Sequence, residues 1–89
     1  MTGKERAAFR VAANSLNAIQ QIGHGGISDE FIKNTDAALT ARELIKMKVL
    51  ETSPVSAREA AEQLASTLEA EIIQVIGKCF VLYRKNPDK

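Results

Sequence analysis

The chain is poor in the residues that stack, staple and stiffen. Its 89 residues include three phenylalanines, one tyrosine and no tryptophan. That 4% aromatic content argues against a reader of single strands built on aromatic stacking platforms. The one cysteine, Cys79, excludes an internal disulfide and fits a reducing compartment; it is expected to pack as a small hydrophobe. The one histidine, His24, has no cysteine or serine partner in a nucleophile motif, and no metal-ligand cluster is visible. No enzyme, cofactor or metal is therefore expected. Residues 1–10 are polar and charged with no apolar stretch, so they do not read as a secretory signal. No apolar run approaches the length of a membrane span. The expectation is a cytoplasmic protein, monomeric, with no membrane partner.

What is present suits a globule. Hydrophobic content of 45% and charged content of 26% are ordinary for a soluble domain, and a chain this size buries roughly two-thirds of its unfolded surface. One domain over 1–85 is expected, with a polar tail at 86–89. The net charge of +1 hides a polarised distribution. Glu51, Glu59, Glu62, Glu69 and Glu71 face only Arg58 within 51–71, whereas Arg42, Lys46 and Lys48 outnumber Glu43 in the segment before. The last segment carries Lys78, Arg84, Lys85 and Lys89 against Asp88. Such asymmetry permits a nucleic-acid face despite a mild pI, although a mixed solvated surface has the same composition.

In chain order, Thr2 with Glu5 forms a capping box. Phe9, Ala12, Ala13 and Leu16 recur at helical spacing, which predicts a first helix over about 3–15 with Lys4, Arg6 and Arg10 off the apolar stripe. A short strand follows over 18–22, β-branched at Ile19 and Ile22. Ser28 then caps a second helix, whose buried face is Phe31, Ile32, Thr35, Ala38 and Leu39. In the next strand, over 43–50, Ile45, Met47 and Val49 point one way while Lys46 and Lys48 stand together on the other face. Pro54 breaks the pattern. A third helix from about Val55 lays Ala57, Ala60, Ala61, Leu64, Ala65 and Leu68 against a sheet, with glutamates outward. Two apolar runs, 72–76 and 79–83, flank Gly77-Lys78 and read as a hairpin with a two-residue turn. The expected fold is α+β, in the order α-β-α-β-α-β-β, with a mixed four-stranded sheet and three helices. Two strand–helix–strand crossovers predict neighbouring parallel pairs.

Between the first strand and the second helix lies Gly23-His24-Gly25-Gly26. Three glycines in four residues expose backbone, and the cap and start of a helix follow at once. Free amides and a helix N-terminus together suit a phosphate. Alone, G-x-x-G is a weak motif and equally describes a tight connection; the common nucleotide fingerprints G-x-x-x-x-G-K-[ST] and G-x-G-x-x-G are absent.

Three blocks taken together are far more specific: Gln21-Ile22-Gly23 through Gly26-Ile27; Glu43-Leu44-Ile45-Lys46-Met47-Lys48; and Gln74-Val75-Ile76-Gly77-Lys78 through Val81-Leu82-Tyr83-Arg84. Their order and spacing over nearly the whole chain resemble the bacterial stand-alone form of the CRM domain, the YhbY family of RNA-binding proteins. The resemblance implies a fold similar to the C-terminal domain of initiation factor three with an added amino-terminal helix. It implies a G-x-x-G loop used like that of KH domains, which clamps the sugar-phosphate backbone, and association with precursors of the large ribosomal subunit. The family usually has lysine after the first loop glycine. Here His24 stands there, and an imidazole brings no fixed charge to a phosphate.

The expected function is RNA binding in ribosome biogenesis, on large-subunit ribosomal RNA. The expected contacts are Gly23, His24, Gly25 and Gly26 with Arg6, Arg10, Lys46, Lys48, Lys78 and Arg84. Gly26→Asp is expected to weaken binding and spare the fold. Tyr83 is expected in the core or over the sheet rather than as a base-stacking platform. The alternative is a protein-interaction adaptor that docks a basic ribosomal protein on the acidic third helix through Glu59, Glu62 and Glu69.

Overall fold

A computed structural model describes residues 2–85; the tail expected at 86–89 lies outside the described residues. The order is α1 (Gly3–Ala13), β1 (Gln20–Ile22), α2 (Asp29–Arg42), β2 (Leu44–Val49), α3 (Ala57–Leu68), β3 (Glu71–Ile76) and β4 (Cys79–Tyr83). All seven expected elements form. Thr2 and Glu5 close the capping box of α1, and Ser56 with Glu59 closes a second one on α3. The helices are shorter than expected at two ends. α1 stops at Ala13, where Asn14 caps it, and Ala12 is exposed. α3 starts at Ala57, because Ser53 and Val55 bond to each other in a turn after Pro54.

The strands form one sheet in the order β1-β2-β4-β3. β1 and β2 are parallel, as their crossover helix α2 requires. The second crossover departs from expectation. β2 and β3 run the same way but are not neighbours, since β4 enters between them, antiparallel to both. The tight turn at Gly77-Lys78 folds β4 back beside β3. β4 is also the strand best suited to the middle: Phe80, Val81 and Leu82 are all buried, so a continuous apolar run meets cover on both faces.

The two faces are covered unequally. On one, α2 and α3 close the main core over Ile22, Ile45, Met47, Val49, Phe80 and Leu82. Ala57, Ala60 and Ala61 let α3 approach the sheet closely, and Leu64 fills the space beside them. On the other face only α1 packs. Ala13, Ile73 and Val81 make a small second core, flanked by Phe9, Leu16, Leu44 and Tyr83. Tyr83 stacks on Phe9 with ring centroids 4.2 Å apart, so it covers the sheet as expected. A bulge between Ile72 and Gln74 sets Ile73 and Gln74 together against Val81 and turns both toward the α1 side.

One buried polar group ties edge strand to helix. Thr35 is fully buried; its hydroxyl donates to the Phe31 carbonyl at 2.8 Å and accepts from the Gln20 side-chain amide at 2.9 Å. Thr35→Val keeps the shape but takes the acceptor from Gln20. It is expected to lower stability by about 1–3 kcal/mol, read as a shifted urea midpoint with an unchanged slope; an unshifted midpoint would show that Gln20 does not depend on Thr35.

Candidate nucleic-acid interface

The glycine bend closes on itself through one bond. The Gly26 amide donates to the Gly23 carbonyl at 3.0 Å, so residues 23–26 form a β-turn with His24 and Gly25 at its tip. Neither tip residue has positive φ, and Gly26 follows at φ +68°. This is the pattern of a type I turn with glycine in fourth place. The His24 and Gly25 amides make no hydrogen bond among the described residues, and both residues are exposed. Two donors therefore stand outward and one is spent inward.

The three glycines are not equivalent. A Cβ on Gly25 would meet nothing within 4 Å, and one on Gly23 would only touch Leu50 at 3.9 Å. At Gly26 it would come within 3.2 Å of Pro54 in a left-handed backbone. The expectation that Gly26 can be replaced without cost to the fold is thus corrected; Gly25 is the neutral position. The start of α2 differs as well. Its Ser28 cap accepts from the Phe31 amide, but Asp29 and Glu30 occupy the first turn and already offset the helix dipole. The turn amides, rather than the helix end, are the donors open to an anion.

The expected cations divide into three groups. Lys46 and Lys48 lie on the open side of β2, and Arg10 on the exposed flank of α1; none of the three has an acidic partner among the described residues. Lys48 pairs in register with Gln21, two residues before the turn. Lys78 reaches the same end of the sheet, since its carbonyl accepts from Val49 at 2.7 Å while Leu50 donates to the Ile22 carbonyl at 2.9 Å. Its ammonium, however, pairs with Glu51 at 2.7 Å. The hydrogen bond and charge of Lys78 hold the Glu51 carboxyl below the usual glutamate range. Arg6 and Arg84 lie elsewhere. The Arg6 guanidinium donates to the Ile72 carbonyl and pairs with Glu71 at 3.5 Å, at the start of β3 on the opposite sheet edge. Arg84 is the clamp between α2 and α3. It pairs with Asp36 at 2.8 Å and donates to the carbonyls of Leu68 and Asp36 and to the Thr40 hydroxyl. Both arginines hold the fold together, and neither stands beside the turn.

Strand register also brings together residues that the sequence analysis did not group. Gln21, Lys48, Cys79 and Ile76 are successive partners and form one row across all four strands. At a strand spacing of about 4.8 Å the row spans roughly 14 Å, and it starts next to the turn. Cys79 is half-buried in this row rather than enclosed in the core.

Comparison with known proteins decides the family. The model of the CRS1/YhbY (CRM) domain matches residues 1–84. This chain belongs to the CRM-domain family. YqeI of Bacillus subtilis, a CRM relative named as a probable RNA-binding protein, is 38% identical over 88 residues, covering 99% of this chain and 92% of its own. A Methanocaldococcus jannaschii protein of the same description is 35% identical over 94% of this chain and 63% of its own length. A Staphylococcus aureus protein, described as an RNA-binding candidate and solved in solution, superposes with a TM-score of 0.79. It is 41% identical and covers 96% of this chain and 88% of its own. The CRM fold of three helices on a mixed four-stranded sheet is therefore shared with a solved relative. Among the described residues there is no group of side chains that could hold a metal, and no helix is long and apolar enough to cross a membrane.

Two substitutions separate the structural from the exposed positions. Gly26→Ala is expected to cost about 1–2 kcal/mol from the left-handed backbone alone, with crowding against Pro54 added, whereas Gly25→Ala stays within about 0.5 kcal/mol of the parent; thermal melts distinguish them. Arg84→Met is expected to destabilise by about 1–3 kcal/mol, because carbonyls of both helices lose a charged donor. A variant as stable as the parent would show that the clamp is dispensable.

Proposed function

We propose that this protein binds large-subunit ribosomal RNA, or the particle that contains it, as a factor in ribosome biogenesis. The observation that carries this reading is a collection of donors without partners among the described residues: the amides of His24 and Gly25 at the turn, Lys48 near it, and Lys46 further along the same strand face. Family membership and relatives named as RNA-binding proteins support it. In this reading the turn clamps one phosphate with its amides. Lys46, Lys48 and Arg10 neutralise the neighbouring ones, and Lys78 joins them by exchanging Glu51 for a phosphate. His24 stands at the tip, where it can donate to the same backbone. Binding is driven by counterion release and by shape, without catalysis, by a monomer in the cytoplasm.

The adaptor alternative finds two of its three carboxylates, those of Glu59 and Glu62 but not of Glu69, already engaged. Glu59 closes the cap of α3, and Glu62 pairs with Arg58 at 3.8 Å. Charge reversal on α3 separates the two readings, since an adaptor loses its association and an RNA binder does not.

Affinity for large-subunit ribosomal RNA is expected to fall linearly on a log–log plot against salt, with a slope of about 0.7–0.9 per phosphate neutralised. Lys48→Ala reduces that slope by about one contact. Gly25→Asp sets a carboxylate in the turn and weakens binding, while circular dichroism stays unchanged. Parental affinity in a folded Gly25→Asp protein would remove the turn from the mechanism.

A further inference from the structure

The side of the sheet that α1 leaves open holds a small groove, of about 170 Å³, between the end of that helix and strands β2, β4 and β3. Its floor is Ile76, Cys79 and Val81; Asn14, Lys46 and Gln74 stand around it. Ile76 is 64% exposed, unusual for an isoleucine in a strand, and the register places it beside Cys79. The carboxamides of Asn14 and Gln74 make no hydrogen bond among the described residues. Arg10 lies one turn before Asn14 on the same flank of α1, and like Lys46 it has no acidic partner among the described residues.

We propose that this groove is a nucleobase subsite, which takes one unpaired base of the RNA whose backbone the 23–26 turn holds; it rests on the RNA-binding reading above. Each part of the groove has a use with such an occupant. A carboxamide offers a donor and an acceptor side by side, the match for the polar edge of a base. The floor of Ile76, Cys79 and Val81 receives the flat apolar surface of the ring. Lys46 lines the groove and Arg10 lies one turn before Asn14, both available to the phosphates that flank a bound base, and among the described residues no carboxylate lines the groove to repel them. No aromatic ring lines it either, so recognition comes from hydrogen bonds to the base edge rather than from stacking. A base inside a double helix has that edge already paired, so the occupant is single-stranded. The row Gln21–Lys48–Cys79–Ile76 connects the turn to the groove, along the part of that face that α1 leaves uncovered.

The chain provides its own reporter, because Cys79 on the groove floor is the only cysteine. The rate of its alkylation by iodoacetamide is measured alone and with three probes: a short single-stranded oligoribonucleotide of mixed sequence, the same ribose–phosphate strand without bases, and an RNA duplex. With each probe that binds at roughly ten times its Kd, the base-bearing strand is expected to slow alkylation about tenfold. The abasic strand and the duplex leave the rate within about twofold. Gln74→Ala and Asn14→Ala are expected to reduce the preference for the base-bearing over the abasic strand by about tenfold, with the salt slope unchanged. Equal protection by the abasic strand, or RNA binding without protection of Cys79, overturns the subsite and leaves the backbone grip standing. Absence of RNA binding by any probe overturns both. Stronger protection by an acidic peptide than by RNA overturns the subsite in favour of a protein partner. The protection measurement uses the parent chain, so it does not depend on the folding of a variant.

Discussion

The arrangement depends on how β4 is covered. Its five residues are apolar on both sides, and they need one layer over Phe80 and Leu82 and another over Val81. α2 and α3 supply the first layer in full. α1 alone supplies the second, and a single short helix cannot span four strands. It settles over Val81, Ile73 and Tyr83, at the start of β3, and leaves the far end of that face bare. The residues that could carry a function stand on that uncovered end. Their exposure follows from the economy of the second layer, and their polarity follows from being exposed.

This division also explains why cations that look alike in sequence have different work. Arg84 leaves the last strand on the side where two helices meet and becomes the link between them. Arg6 projects from α1 onto the rim of β3 and meets Glu71. Lys46 and Lys48 alternate outward from a strand whose other face is core, so they arrive side by side with no acid opposite. Arginine suits the first two positions because its planar fork reaches several acceptors at once, carbonyl and carboxylate alike, whereas lysine is a point charge on a flexible stem.

Much of this was legible in the sequence. The capping box at Thr2, the Ser28 cap, the alternation of β2 and the two-residue turn at Gly77-Lys78 are local signals, and local chemistry sets their outcome. The insertion of β4 between β2 and β3 was legible only as a hint, the continuous apolar run of β4, because strand order is a property of the assembled layers. The same holds for the site. The turn and the two lysines could be named in advance, since glycine spacing and strand alternation are local. The partners of Arg6 and Arg84 could not, because Ile72 and Leu68 are remote in sequence. Gly26 illustrates the difference within one motif: it looks like its neighbours until Pro54 is placed beside it.

The position of β4 has a consequence for how the protein is made. β4, which follows the other three strands in chain order, is an inner one, hydrogen-bonded on both edges. Until it emerges, β2 and β3 have no common partner, and the sheet cannot exist as a surface. A chain still under synthesis therefore presents lysines and a glycine bend, but not the geometry that relates them. The four-stranded surface is completed in one step, when β4 slots into the gap between β2 and β3.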